Sequence, residues 1–181
     1  SRHFARMLEI PLLEPGDFQE AKDMVKWAFV LSEEIKSLVM VRSVTRLSHA
    51  SGNVVFDALP EQEVTAHFSH HGAFIDPVEG PMITLPVTWR HTLLQEKLQQ
   101  AVAKFEESPF NIYTGPPRPE LLIITSSACH LYSKEAIDLL AVKDRVGLLK
   151  LGTTWPLPPK LMEKYLSRAD KILIVEEVIS F

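Results

Sequence analysis

From Glu120 to Glu177 the apolar positions come in blocks. Leu121-Leu122-Ile123-Ile124, Val146-Gly147-Leu148-Leu149-Lys150-Leu151 and Ile172-Leu173-Ile174-Val175 are near-continuous apolar runs. Between them the spacing turns helical, from Cys129 to Leu140 and again after Pro159 to about Arg168. Short runs that are apolar on both faces suit the strands of a covered parallel sheet, and longer 3.6-period stretches suit the helices that cover it. The pattern predicts strand, helix, strand, helix, strand. That is an α/β fold of three αβα layers, mainly parallel.

The chain before this stretch is patterned differently. Ile10 to Pro15 reads as a short strand, and Gly16-Asp17 as a turn with an N-cap. Asp17 with Glu20 three positions on has capping-box spacing. A helix follows to about Ile35, with Ala21, Met24, Val25, Ala28 and Leu31 as its apolar stripe and Lys36-Ser37 as its break. Leu38 to Val41 is the next strand, and it opens into the polar run Arg42 to His49. A strand, a helix and a strand are too little to bury a core alone, so this piece must pack on something else. After it, Val54-Val55-Phe56 and Val64 to Phe68 suit short strands, and Gly72, Pro77, Gly80, Pro81 and Pro86 punctuate a loop. A helix is predicted from Pro86 or Val87 to Glu107, with Leu93, Leu94, Leu98, Ala101, Val102 and Phe105 inward and Ser108-Pro109 as its stop. Gly115-Pro116-Pro117-Arg118-Pro119 reads as a stiff linker. The expected units are 1–51, 52–118 and 119–181.

Composition narrows the function classes. Of the 181 residues, 46% are apolar and 23% charged, as in ordinary globular chains. Nineteen basic against 23 acidic residues give a net charge of −4, which disfavours a nucleic-acid binder. The one cysteine, Cys129, can form no intrachain disulfide and cannot supply the thiolates of an iron–sulfur cluster. This favours a reducing, cytoplasmic setting. No apolar run approaches the ~20 residues of a membrane span, and the start lacks a signal-peptide pattern. A chain that opens on Ser1 and stops at Phe181, just past an apolar strand, is expected to be a piece of a longer polypeptide.

Several clusters are candidates for chemistry. His67, His70 and His71 lack the spacing of a zinc helix, and solvated loop histidines are the simpler reading. Ser126-Ser127-Ala128-Cys129 joins a strand to a helix start, a position suited to anions, but no glycine-rich phosphate motif accompanies it. Cys129 there reads as a small packing residue. Glu176-Glu177 end a strand and should reach opposite faces. Asn111, Phe110 and Tyr113 read as a loop packing the helix end. The most suggestive set is Arg42, Thr45, Arg46, Ser48 and His49, beyond the carboxyl end of a strand. Its arginines could hold a substrate carboxylate or phosphate, or form an interdomain salt-bridge network.

These blocks also carry a resemblance. Ile10 to Pro15, Gln19-Glu20-Ala21 and Val41-Arg42 through Thr45 to His49 resemble the end of the first domain of thiamine-diphosphate-dependent 2-oxoacid:ferredoxin oxidoreductases. Trp89-Arg90-His91, Leu94, Glu96-Lys97-Leu98 and Ser108 to Asn111 resemble the linker helix of the indolepyruvate:ferredoxin oxidoreductase α-subunit branch. Leu149 to Pro158 and Ile174 to Glu177 resemble its following domain, which is similar to the transketolase C-terminal domain.

The resemblance implies an enzyme, in its complete form, that binds thiamine diphosphate and Mg²⁺. It would decarboxylate an aryl pyruvate, transfer the acyl group to coenzyme A, and pass electrons through iron–sulfur clusters to ferredoxin. A β subunit and self-association are implied as partners. The cofactor-anchoring parts would lie outside this chain, which would be inactive alone. Arg2, Arg42, Thr45, Arg46 and His49 would face the substrate or the domain junction. Family members usually carry Gly in the turn where Ser127 or Ala128 stands here, and an aromatic residue near His130. Two other readings remain at this stage. One is a non-catalytic α/β interaction module; the other is the matching part of a transketolase or E1-type enzyme.

Overall fold

A computed structural model describes residues 2–58 and 87–177. The expected strands at Val64–Phe68 and the loop that follows lie outside these residues. In chain order the elements are α1 (Arg2–Met7), β1 (Leu12–Leu13), α2 (Phe18–Ile35), β2 (Met40–Val41), α3 (Thr45–Ser48), α4 (Val87–Glu106), β3 (Ile112–Thr114), β4 (Leu121–Ser126), α5 (Ala128–Leu139), β5 (Val146–Leu151), β6 (Thr153–Trp155), α6 (Pro159–Leu166) and β7 (Lys171–Val175).

The apolar runs lie side by side as expected. The larger sheet has the order β3-β5-β4-β7. β4 pairs parallel with both β5 and β7, and β3 pairs antiparallel with β5. Alternate residues of β4 and β5 serve opposite faces. Leu122, Ile124, Leu149 and Leu151 pack under Leu161, Met162, Tyr165 and Leu166 of α6. Ile123, Val146 and Leu148 pack under Ile137 of α5. These are the layers of the predicted αβα arrangement. β7 departs from the expected two-sided burial: it is an edge strand, and Ile172, Leu173 and Ile174 are 45–64% exposed.

The smaller sheet has the order β2-β1-β6. It answers where the N-terminal piece packs. β1 pairs parallel with β2, and antiparallel with β6 from the far end of the chain. Beside it, α2 and α4 enclose a core of Leu13, Met24, Ala28, Leu31, Ile35, Ala101 and Phe105. Asp17 caps α2 by accepting the Glu20 amide at 2.8 Å, and the Glu20 carboxylate reaches back to the Gly16 amide at 2.6 Å. Lys36, at φ 49°, ends the helix.

Some expectations fail for local reasons. Val25 is 46% exposed, because the buried stripe follows Met24, Ala28, Leu31 and Ile35. Val54–Phe56 forms no strand: the Val55 amide and carbonyl are taken by Gln19 and Lys22 side chains of α2, not by a ladder. Of the inner stripe of α4, only Leu98, Ala101 and Phe105 are buried. The segment around Tyr113, read as a loop, is strand β3, and Tyr113 stacks on Tyr165 at 4.5 Å.

Asn111 pins this edge to the turn that leads into β6. Its amide donates to the Phe105 carbonyl (2.9 Å), and its oxygen accepts the Gly152 and Thr153 amides (3.0 and 3.1 Å). Asn111→Ala strands two backbone donors and is expected to lower unfolding free energy by about 2 kcal/mol in urea titrations.

Candidate functional site

The carboxyl ends of β1, β4 and β7 converge on one guanidinium, that of Arg2. Its residue is only 6% exposed although it lies in the first turn described. Nε donates to both Glu14 oxygens (2.9 and 3.0 Å), Nη2 to Ser126 Oγ (2.6 Å) and Nη1 to Glu176 Oε1 (3.2 Å). Glu14 is fully buried and also accepts from Arg42 Nη1. A planar fork suits this task, because it meets several acceptors at fixed angles. The arrangement ties α1, the end of β1, the end of β2 and the α/β sheet together through charge-assisted bonds.

A second buried pair lies nearby. Lys150, 3% exposed and next to last in the otherwise apolar strand β5, donates to Glu20 Oε1. Space there is tight: a Cβ on Gly16 would meet Ser127 O at 3.2 Å and Lys150 Cε at 3.3 Å. The sequence offered one signal for each of these unforeseen residues. Glu14 and Lys150 are charges inside strand-like apolar runs, and such charges are buried only when paired.

The other candidates separate. Arg46 lies over the Tyr132 ring of α5 at 4.8 Å and donates to its hydroxyl. Thr45 and His49 are exposed. Thus Arg2 and Arg42 share one carboxylate, while Thr45, Arg46 and His49 lie on an outer rim. Glu176 joins Arg2, whereas Glu177 Oε2 is buried without a hydrogen-bond partner. Cys129 is buried, and burial, followed by the Glu177 charge, pushes its thiol pKa up, which suits a packing residue and not a thiolate. Burial, with Lys150 and Lys134, pushes His130 down. His67, His70 and His71 lie outside the described residues. Among the described residues, no group of three or more His, Cys, Asp or Glu is arranged to hold a metal ion.

The turn between β4 and α5 carries strain. Ser127 sits at φ 49°, ψ −137°, where glycine is favoured, and is 2% exposed. Its hydroxyl donates to the Pro15 carbonyl at 2.9 Å. Serine here therefore adds a tie to the N-terminal piece in a conformation costly for any residue with a Cβ. Ser127→Ala and Ser127→Gly both lose the tie, but only glycine relieves the backbone. The glycine variant is expected to be the more stable by about 1–2 kcal/mol in thermal melts.

Beside the Arg2 fork opens a cavity of about 320 Å³ on the α6 face of the sheet. Its lining includes Arg2, Arg6, Ser126 and Glu176 together with Ile124, Leu151 and Met162.

Comparison with known proteins adds the family context. No protein-family model matches the chain. It is 39% identical over 180 residues to the indolepyruvate oxidoreductase subunit IorA of Pyrococcus horikoshii, spanning 98% of this chain and 27% of that protein. The IorA subunits of Thermococcus kodakarensis and Methanothermobacter thermautotrophicus are 38% and 33% identical, again over 98% of the chain and 27% and 28% of their own lengths. The fold is similar to a 2-oxoglutarate:ferredoxin oxidoreductase from Magnetococcus marinus, solved with 2-oxoglutarate, coenzyme A and succinyl-CoA bound. The TM-score is 0.61 at 15% identity, covering 91% of this chain and 34% of that one. The chain thus spans about a quarter of the length of the curated relatives it matches, and over that span it is similar to one segment of the IorA subunits of indolepyruvate oxidoreductases.

Proposed function

We propose that this chain is the scaffold segment of an indolepyruvate-type 2-oxoacid:ferredoxin oxidoreductase. The observation that carries this reading is the match of 98% of the chain to only 27% of each of the first relatives. In the whole protein the reaction is the oxidative decarboxylation of an aryl 2-oxoacid, with the acyl group passing to coenzyme A and the electrons to ferredoxin. Thiamine diphosphate with Mg²⁺ supplies the carbanion chemistry, and iron–sulfur clusters carry the electrons.

The one cysteine is buried and cannot by itself supply the thiolates of an iron–sulfur cluster, so in this reading the clusters are held by other parts of the enzyme. What this segment contributes is position. Arg2, Glu14 and Arg42 fix the N-terminal piece on the α/β sheet, and the rim of Thr45, Arg46 and His49 faces another part of the subunit or its β partner. Self-association belongs to the same reading. No helix among the described residues is long and apolar enough to cross a membrane. A cytoplasmic setting belongs to the same proposal, on the ground that the one cysteine can form no intrachain disulfide.

The test is an assay of the full-length protein, with its β subunit, for indolepyruvate-dependent reduction of ferredoxin. The reading predicts reduction that requires both thiamine diphosphate and coenzyme A. Reduction that proceeds without either, or no reduction with any aryl 2-oxoacid, would overturn it.

A further inference from the structure

Helix α6 turns Leu161, Met162, Tyr165 and Leu166 onto the larger sheet. Its other side is cationic. Lys160 and Lys164 stand one helical turn apart, both exposed, and Arg168 follows four positions on, just past the Ser167 cap. Lys164 and Arg168 both lie over the Tyr165 ring, 5.0 and 5.9 Å from its centroid. None of the three meets a carboxylate among the described residues, although Glu163 falls between the two lysines in sequence. Elsewhere Lys22, Lys26, Lys36, Lys104, Lys143 and Arg145 are each paired with one. Helix electrostatics account for Lys164 and Arg168, which stand at the negative, C-terminal end, but not for Lys160. Lys160 is in the first turn, where a cation is unfavourable. The carboxylate at that end, Glu106, accepts the Lys160 and Leu161 backbone amides, both at 2.8 Å.

Three neighbouring cations without counter-charges, in a chain of net charge −4, fit an acidic partner. A nucleic acid suits the stripe poorly: the Tyr165 ring is stacked on Tyr113 at 4.5 Å and offers no platform for a base. A lipid surface suits it no better, since no large apolar side chain of α6 is exposed to enter one. Magnitude then separates a free protein from a part of the same subunit. An exposed ion pair is worth at most about fivefold in an equilibrium constant, so three give about a hundredfold. That falls short of even millimolar association, because a free partner also loses translational and rotational freedom. A helix of the same subunit meets no such cost, since the subunit's own core places it. This chain spans only 27% of the first relative, so most of such a subunit lies outside it. We propose that the cationic stripe of α6 holds an acidic helix from the part of the subunit outside these 181 residues. Its carboxylates stand one turn, about 6 Å, apart, to match Lys160 and Lys164. The proposal rests on the reading above only in that the chain is one segment of a longer subunit; no catalytic step enters it.

The test is lysine acetylation of the full-length protein with its β subunit, read residue by residue by mass spectrometry. Lys134, exposed and also without a carboxylate partner among the described residues, is the internal reference. Lys160 and Lys164 are expected to react about fivefold or more slowly than Lys134. Arg168→Glu should remove that protection and Arg168→Lys keep it, with thermal melts to establish that both variants are folded. Carbodiimide coupling, which joins an amine to a carboxylate without a spacer, is expected to link Lys160 or Lys164 to an Asp or Glu elsewhere in the subunit. Lysines as reactive as Lys134 would overturn the proposal, as would protection that survives in folded Arg168→Glu. Links that end only on Glu106 or Glu163, or on the β subunit, would overturn it too, as would no link at all. None of these readouts requires turnover, so an inactive enzyme would count against the proposed reaction and leave this result standing.

Discussion

Arg2→Met is expected to lower unfolding free energy by about 3 kcal/mol, the largest single-residue effect in the N-terminal piece. The methionine stem fills much of the same space, so the loss is electrostatic. It leaves Glu14, fully buried, paired with Arg42, and it removes the guanidinium from Ser126 and Glu176. A buried carboxylate that loses a partner keeps its desolvation penalty and loses the attraction that offset it. Arg2→Lys should fall between, because a point charge cannot serve three acceptors along the edges of a plane. Urea titrations of the three proteins check the order wild type, lysine, methionine. Equal stability of wild type and Arg2→Met would mean that the fork does not hold the two sheets together.

Lys150→Met is the companion result, with a similar expected loss of about 3 kcal/mol. Here the stranded group is Glu20, which would keep only the Gly16 amide as a charge-compensating bond. The useful comparison is the double variant Lys150→Met with Glu20→Gln. Removing both charges of a buried pair is often close to neutral, since neither is then left desolvated alone. The double variant should therefore recover most of the loss. The coupling between the sites, read from the cycle of four proteins, separates the pair from simple packing at Lys150.

Both pairs were hard to read from the sequence for the same reason. Lys150 sits in a run that is otherwise valine, glycine and leucine, and Glu14 follows Leu12-Leu13. Hydrophobic patterning identifies which strand a residue occupies, but a buried charge is specified by its partner, and the partners are 130 and 12 positions away. The long elements were legible because their periodicity is strong: β4, β5, β7, α2 and α4 stand where the blocks predict. The Asp17 cap and the Lys36 stop were legible as local chemistry. The short strands β3 and β6 were not. They are three residues each, and their pairing is set by what lies opposite, in β5 and β1.

The candidate site was legible only in part. Arg2 and Arg42 were singled out and meet on one carboxylate, but Glu14, which joins them, was not. Arg46 was singled out for a substrate anion and is engaged with Tyr132. The expectation of a glycine in the turn after β4 has a visible physical basis. The backbone there has the positive φ that glycine accepts most easily, and Ser127 occupies it while bonded to Pro15.

The central claim is that this segment holds the architecture together while the cofactor is gripped elsewhere. Calorimetric titration of thiamine diphosphate with Mg²⁺ into the 181-residue chain, and into the full-length protein, tests it most directly. The account predicts saturable heat from the full-length protein and none from the chain; binding to the chain at about micromolar concentration would contradict it.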